Sequence, residues 1–154
     1  MRNNTTHHDL CVLAAKWLRR PGLHKPNCPY VAVELVTASP ELTDVFGWNY
    51  WTTVMIEVKV SRSDFLADAK KPHRANPQEG AGIHRYYCCP AGLIQESDLP
   101  PYWGLLWERD GKIEEVKRAQ PQPSNSAVEV AILTSVMRRE SVKPQVFDYR
   151  KTNV

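Results

Sequence analysis

The sequence lacks the features that define several large classes of protein. No apolar run approaches the roughly 18 residues that a membrane span needs, so we expect no membrane association. A glycine-rich phosphate loop, a nucleophile elbow and a catalytic Cys/His pair are also missing, which argues against common metabolic α/β enzymes. The first residues lack the apolar core of a signal peptide, so we expect a cytoplasmic location.

Cysteine is scarce, and none of the four cysteines forms a CxxC pair. Cys88 and Cys89 are adjacent, so on a strand their side chains point to opposite faces. A zinc site that uses His24 and Cys28 is one interpretation. Buried free thiols in a reducing compartment are the plainer one.

The bulk composition is that of an ordinary globular protein. The chain has 154 residues, with 42% hydrophobic and 24% charged residues, which predicts one domain over residues 1–140 and a polar tail over 141–154. The net charge of +3 is compatible with a polyanionic partner but does not require one.

Hydrophobic periodicity predicts a helix, three strands, a helix, a strand, a hairpin and a helix. The ranges are 8–20, 30–36, 43–48, 52–60, 61–71, 84–89, 104–108 with 113–117, and 126–139. Phe65, Leu66 and Ala69 form the predicted apolar stripe of the second helix, whereas residues 72–83 read as an exposed, mobile loop. A central mixed sheet with helices on both faces, an α/β fold, is the natural packing.

The chemically informative pattern is an acid on one strand followed by an acid and a lysine on the next. Glu57 and Lys59 project from the same face, about 7 Å apart along the strand. Asp44 converges on Glu57 if the two strands pair as a hairpin. Neighbouring carboxylates repel each other unless a cation lies between them, and oxygen ligands favour Mg²⁺ or Mn²⁺.

A Glu-x-Lys pair is also common on solvated sheet surfaces, so the context has to decide. The strand that carries Glu57 is the most apolar in the chain and is predicted to be central. Charges on such a strand are costly unless they are used. Glu34 repeats the pattern as a single acid inside an apolar strand.

Asp44 and Glu57-Val58-Lys59, followed by the helix Ser61-Arg62-Ser63-Asp64-Phe65-Leu66-Ala67-Asp68, resemble the PD-(D/E)XK nuclease superfamily. Within it, the sequence is most similar to the MmcB-like DNA repair proteins. The similarity extends to the His84-Arg85-Tyr86-Tyr87 strand, the Pro90–Ile94 turn and Trp103-Gly104-Leu105-Leu106, and it covers roughly residues 8–140.

The resemblance implies a restriction-endonuclease-like three-layer α/β/α fold. It further implies a divalent metal held by Asp44, Glu57 and the Val58 carbonyl, with Lys59 as the catalytic lysine and Glu34 as an accessory acid. One departure is that Thr43 stands where the signature has proline. Pro40-Glu41 matches that signature literally, but Glu41 falls in the turn, so Asp44 is preferred.

Six residues are candidate nucleic-acid contacts, each with a structural alternative. Arg62 and Ser63 lie at a helix N-terminus that could hold a phosphate or could simply be capped. A basic stretch that leads into the 72–83 loop could clamp DNA or be solvated, and a residue of the fourth strand, either Arg85 or His84, could contact the scissile phosphate or be structural. The full set is Arg62, Ser63, Lys70, Lys71, Arg74 and Arg85.

Three smaller features were interpreted structurally. Trp48, Tyr50 and Trp51 could stack on an unpaired base, but closing the core or an interface is favoured. Asp64 and Asp68 are expected to carry helix-start charge and to pair with Lys71 or Arg62. His7 and His8 read as polar groups at the helix start.

The sequence therefore predicts a Mg²⁺- or Mn²⁺-dependent deoxyribonuclease of DNA repair, restriction or phage type, acting as an endonuclease or exonuclease. The alternative is a catalytically inactive module on the same fold that binds nucleic acid or docks to a partner. Many proteins of this fold act as dimers, which leaves a homodimer open.

Overall fold

The computed structural model describes residues 5–37 and 42–142 of the chain. The helices are α1 (His7–Leu18), α2 (Arg62–Asp68), α3 (Pro72–Ala75) and α4 (Ser126–Arg139), and 3₁₀ turns cover Pro77–Glu79 and Glu96–Asp98. The strands are β1 (Tyr30–Leu35), β2 (Thr43–Trp48), β3 (Thr53–Val58), β4 (His84–Pro90), β5 (Gly104–Arg109) and β6 (Lys112–Lys117).

The six strands form one mixed sheet in which spatial order equals chain order. β1, β2 and β3 are successively antiparallel, as are β5 and β6. β3, β4 and β5 are parallel neighbours, so a crossover that contains α2 and α3 joins β3 to β4. The expected central position of β3 is confirmed.

Helices pack against both faces of the sheet, because the strands alternate apolar side chains between two cores. Val54, Ile56 and Val58 of β3 face the core that α1 completes with Leu10 and Trp17. Met55 faces the second core, which includes Phe65 of α2 and Ile132 of α4. The predicted order of elements and the mixed α/β class are therefore confirmed.

Side-chain caps begin the first two helices. The side chain of Thr6 accepts a hydrogen bond from the Asp9 backbone N–H, and the Asp9 carboxylate accepts one from the Thr6 backbone N–H, which completes a capping box. The side chain of Ser61 caps α2 through the Asp64 N–H. At the predicted hairpin, now β5 and β6, Asp110 and Gly111 have φ angles of 51° and 75°, and a type I′ turn needs such positive values at both central residues.

Two local predictions were wrong. Residues 72–83 are not an open loop: they contain α3 and a 3₁₀ turn, and Arg74 and Ala81 are buried. The apolar stripe of α2 is also rotated, because Phe65 and Asp68 are buried while Leu66 is half exposed. Both differences have one cause. Asp68 is buried and its carboxylate binds Arg74, so the crossover packs onto the sheet.

Arg85 is a structural residue rather than a phosphate contact, which corrects the sequence-based expectation. Only 1% of it is exposed. Its guanidinium donates hydrogen bonds to the carbonyls of Gly82, Pro77, Gly80 and Pro123. The side chain therefore ties the end of the crossover to the segment that precedes α4.

Some predictions concern residues outside the described ranges. Pro40 and Glu41, the competitor of Asp44, lie there, as does the tail beyond residue 142. Within the described ranges, no helix combines the length and apolarity needed to cross a membrane.

Replacing Arg85 with Met should lower the free energy of unfolding by about 2–4 kcal/mol, because buried carbonyls lose a charged donor. Arg109→Met, at a position whose side chain is 60% exposed, is the matched control and should change stability by less than about 0.5 kcal/mol. Urea unfolding followed by circular dichroism measures both. Equal effects of the two substitutions would contradict the structural role of Arg85.

Candidate functional site

A polar cavity of about 270 Å³ opens at the carboxyl end of β3, between the start of α1 and the crossover helices. We call it the acid cleft. Its lining combines acids with cations: His7, Asp44, Glu57, Val58, Lys59, Asp64, Ala67, Asp68 and Lys71. The three residues on which the sequence argument was based, Asp44, Glu57 and Lys59, all lie in it.

The hairpin register brings Asp44 to the cleft. Val45 pairs with Ile56, so the next position outward places Asp44 opposite Glu57. There the β2–β3 ladder ends, and Oδ2 of Asp44 accepts a 2.7 Å hydrogen bond from the Val58 N–H. Asp44 is thus fixed by one oxygen, and 22% of its side chain remains exposed.

Glu57 is buried at the floor of the cleft and contacts three cations. Its Oε1 accepts hydrogen bonds from Lys59 Nζ at 3.0 Å and from Lys71 Nζ at 3.1 Å. Arg74 Nη2 lies 3.6 Å from Oε2. Only 4% of the Glu57 side chain is exposed, so these contacts compensate a charge that water does not reach.

Asp68 organises the cations from the other side. Its Oδ1 contacts Lys71 Nζ at 2.7 Å and Lys59 Nζ at 3.2 Å. Its Oδ2 accepts hydrogen bonds from Arg74 Nε at 2.7 Å and from the Tyr87 hydroxyl at 2.5 Å. The expected pairing of Asp68 with Lys71 is confirmed, but no sequence pattern predicted Arg74 and Tyr87 as further partners.

The two buried acids have pKa values shifted in opposite directions. Burial, and then the negative charge of Asp44, raises the pKa of Glu57, although Lys59 and Arg74 oppose this shift. Burial alone would raise the pKa of Asp68 too, but hydrogen bonds from Arg74, Lys71 and Tyr87 hold it well below its ordinary value. The fold therefore favours the ionised form of Asp68 and disfavours the ionised form of Glu57.

His7 is a cleft residue that the sequence interpretation missed. Its Nε2 lies 3.4 Å from Asp44 Oδ1, and its Nδ1 lies 3.3 Å from Glu34 Oε1. The only sequence signal was its place one helical turn before Cys11, and the approach of α1 to Asp44 depends on tertiary packing.

Glu34 contacts this group but does not line the cleft. It lies on the edge strand β1, its side chain is 39% exposed, and His8 Nδ1 is 2.6 Å from its Oε2. The expectation of an acid inside a core strand was wrong at this position. Its backbone has a φ of 49°, and the alternation of β1 changes face there: Val33 packs on one core and Leu35 on the other.

Cys11 lies behind His7 and is buried. Its Sγ is 3.7 Å from His7 Nδ1. Burial raises the pKa of the thiol, and the nearby charges of Asp44, Glu34 and Glu57 raise it further. All four cysteines are free and buried, as the plainer interpretation predicted.

The predicted nucleic-acid contacts divide into two groups. Lys71 lies in the cleft with 41% of its side chain exposed, and Lys70 and Ser63 are exposed nearby. Arg62 instead forms a two-pronged pair with Asp98 at 2.6 and 2.7 Å. Arg74 is 97% buried at its side chain and bound to Asp68, so it is not a surface contact for DNA.

The favoured interpretation of the aromatic residues at the β2–β3 turn, that they close a core or mark an interface, is wrong only in its first part and only for two of them. Trp48 stacks on Tyr30, but Tyr50 and Trp51 are each 88% exposed. They do not close a core. They lie at the opposite end of β3 from the acid cleft.

Comparison with known proteins shows the fold and no function. A solved structure of a Silicibacter pomeroyi protein of unknown function is similar, with a TM-score of 0.62 and 22% identity. The alignment covers 93% of this chain and 98% of that one. The chain matches no protein-family model and no curated protein.

The opposite pKa shifts predict opposite pH dependences of stability, measured as urea unfolding between pH 3 and 8 in EDTA. Glu57 has a raised pKa when folded, so its contribution to stability is present below its ordinary pKa of 4.5 and is lost as the pH rises through the raised value. Wild type should therefore lose stability relative to Glu57→Gln as the pH rises above 4.5.

Asp68 has a lowered folded pKa, so wild type should lose stability relative to Asp68→Asn as the pH falls below 3.8. The exposed Glu114 on β6 provides Glu114→Gln as the control for the substitution itself. The same slope for Glu57→Gln and Asp68→Asn would contradict the opposite shifts.

Proposed function

We propose that this protein is a Mg²⁺- or Mn²⁺-dependent nuclease that hydrolyses phosphodiester bonds in DNA, on a restriction-endonuclease-like fold. The observation that carries the proposal is the convergence of Asp44, Glu57 and Lys59 in one cleft at the end of the central strand. Their order along the chain and their placement on adjacent strands agree with the resemblance of the sequence to the PD-(D/E)XK superfamily.

The acid cleft fits a hard divalent cation. Asp44 has one oxygen committed to the Val58 N–H and the other directed into the cleft, next to His7. The raised pKa of Glu57 means that its cationic neighbours do not fully offset the effects of burial and of Asp44 on its anion, and a cation near Asp44 and Glu57 would do so. Asp44, Glu57 and the Val58 carbonyl would hold the ion, which would acidify a bound water and polarise a phosphate oxygen.

The cations of the cleft suit the anionic part of the substrate. Lys59 Nζ is held between Glu57 and Asp68, so its position is fixed before substrate arrives. A fixed ammonium group there can orient an attacking water or offset charge that develops on the phosphate. Lys71 has the greater exposure and is placed to contact a neighbouring phosphate of the strand.

A second candidate function keeps DNA binding without hydrolysis. It is favoured by the hydrogen bonds that Lys59 and Lys71 both make to Glu57 Oε1, since they occupy an oxygen that the metal needs. In this alternative the charge cluster is structural, and the cleft is a docking surface for a nucleic acid or a partner protein.

Cleavage of single- and double-stranded DNA in Mg²⁺ or Mn²⁺ tests the proposal. We expect metal-dependent cleavage that EDTA abolishes. Glu57→Gln and Lys59→Met should each reduce the rate by about 100-fold or more, because each removes a group that acts on the reacting phosphate or its metal.

The matched controls Glu114→Gln and Lys112→Met alter exposed residues of β6 and should retain full activity. Circular dichroism verifies that each variant is folded. DNA binding that persists in EDTA, without cleavage in any divalent metal, would replace the nuclease with the binding module. Cleavage unchanged by both cleft variants would overturn the site.

A further inference from the structure

We propose that His7, Cys11 and Asp44 form a second metal site, selective for a thiophilic divalent ion such as Zn²⁺, at the wall of the acid cleft. One ligand atom from each of the three residues lies within 4.8 Å of the others. We call this group the His–Cys–Asp cluster. It differs from the Mg²⁺ site proposed above in its donors, because it adds an imidazole and a thiol from α1.

The α1 backbone places two of these ligands next to each other. His7 and Cys11 are one helical turn apart on α1, so their side chains share a face. His7 Nδ1 is 3.7 Å from Cys11 Sγ, and Nε2 of the same ring is 3.4 Å from Asp44 Oδ1. Only one nitrogen of the His7 ring can bind the ion, so the relevant measure is that one donor atom from each residue lies within 4.8 Å of the others. Ligand atoms of tetrahedral zinc are separated by about 3.3–3.8 Å, given bonds of about 2.0–2.3 Å, so side-chain rotations that shorten these separations by about 1 Å close the cluster.

Neighbouring groups also fit a cation. Glu34 lies 3.3 Å from His7 Nδ1 and is placed to orient the ring, as carboxylates do for metal-bound histidines. It is also available as a further oxygen ligand. On binding, the S–H bond of Cys11 is replaced by a sulfur–metal bond and the proton leaves to solvent.

The donor set determines which ion is preferred. Thiolate and imidazole select Zn²⁺ and similar ions over Mg²⁺. Asp44 belongs to both sites, so an ion in the His–Cys–Asp cluster withdraws a ligand from the acid cleft. Zn²⁺ should therefore compete with Mg²⁺ and inhibit cleavage; this consequence, unlike the site itself, rests on the proposed function.

Titration of reduced protein with Co²⁺ tests the site without any activity assay. We expect one tetrahedral Co²⁺ per chain, with a thiolate-to-cobalt charge-transfer absorption that Zn²⁺ abolishes. Cys11→Ala should remove that absorption, and Cys11→Ala and His7→Asn should each weaken Zn²⁺ binding by about 100-fold or more. Cys28→Ala, another buried free thiol, is the matched control and should leave binding unchanged.

Glu57→Gln separates this inference from the proposed function. It should abolish cleavage but retain the cobalt spectrum, whereas Cys11→Ala should retain Mg²⁺-dependent cleavage and lose inhibition by Zn²⁺. The spectrum is informative even if the protein cleaves no DNA. Absence of a thiolate–cobalt absorption in folded wild type, or its persistence in Cys11→Ala, would overturn the site.

Discussion

The ion pairs of Asp68 with Lys59, Lys71 and Arg74 are the interaction on which the rest of the site depends. Asp68 has no exposed side-chain surface, so its charge must be matched inside the protein. Matching it draws α2 and α3 onto the sheet and fixes Lys59 beside Glu57. The cation of Arg74 also lies 4.9 Å from the ring centre of Trp103, which connects the cluster to the second core.

This network explains why the side chains of the cleft are held firmly while the negative charge of Glu57 is only partly offset. Asp68 takes the shortest contacts, including the hydroxyl of Tyr87, and remains ionised. Glu57 lies farther than Asp68 from Lys71 and Arg74, although Lys59 Nζ is at a similar distance from both acids, 3.0 and 3.2 Å. Glu57 also faces the charge of Asp44. An added cation would suit this arrangement. It would lower the energy of ionised Glu57, whereas Asp68 already has its counter-charges.

Local patterns predicted most of the fold. Alternation on β3 predicted that Glu57 and Lys59 share a face, and hydrophobic periodicity predicted the helices before β1 and after β3. The convergence of Asp44, Glu57 and Lys59 was predictable, because it follows from strand alternation and from the pairing of β2 with β3. Helix-to-sheet geometry was not predictable: the approach of His7 to Asp44, the burial of Asp68 and the inward direction of Arg85 depend on tertiary packing. The local sequence around a charged residue does not show whether its ion-pair or hydrogen-bond partner is distant along the chain.

The residues of the cleft come from two parts of the chain: the crossover between β3 and β4 with the end of β3, and segments that precede it. Glu57, Lys59, Asp68, Lys71 and Arg74 come from one continuous stretch, residues 57–74, whereas Asp44 and His7 come from segments that precede it. Contacts between residues close in sequence lose little entropy when they form, and distant contacts lose more. The half of the cleft that carries the cations can therefore assemble with the crossover itself, while the half that carries Asp44 and His7 forms only once β2 and α1 dock. Order of assembly thus separates the lysine and arginine side chains, which form with the crossover, from the Asp44 and His7 side of the same cavity.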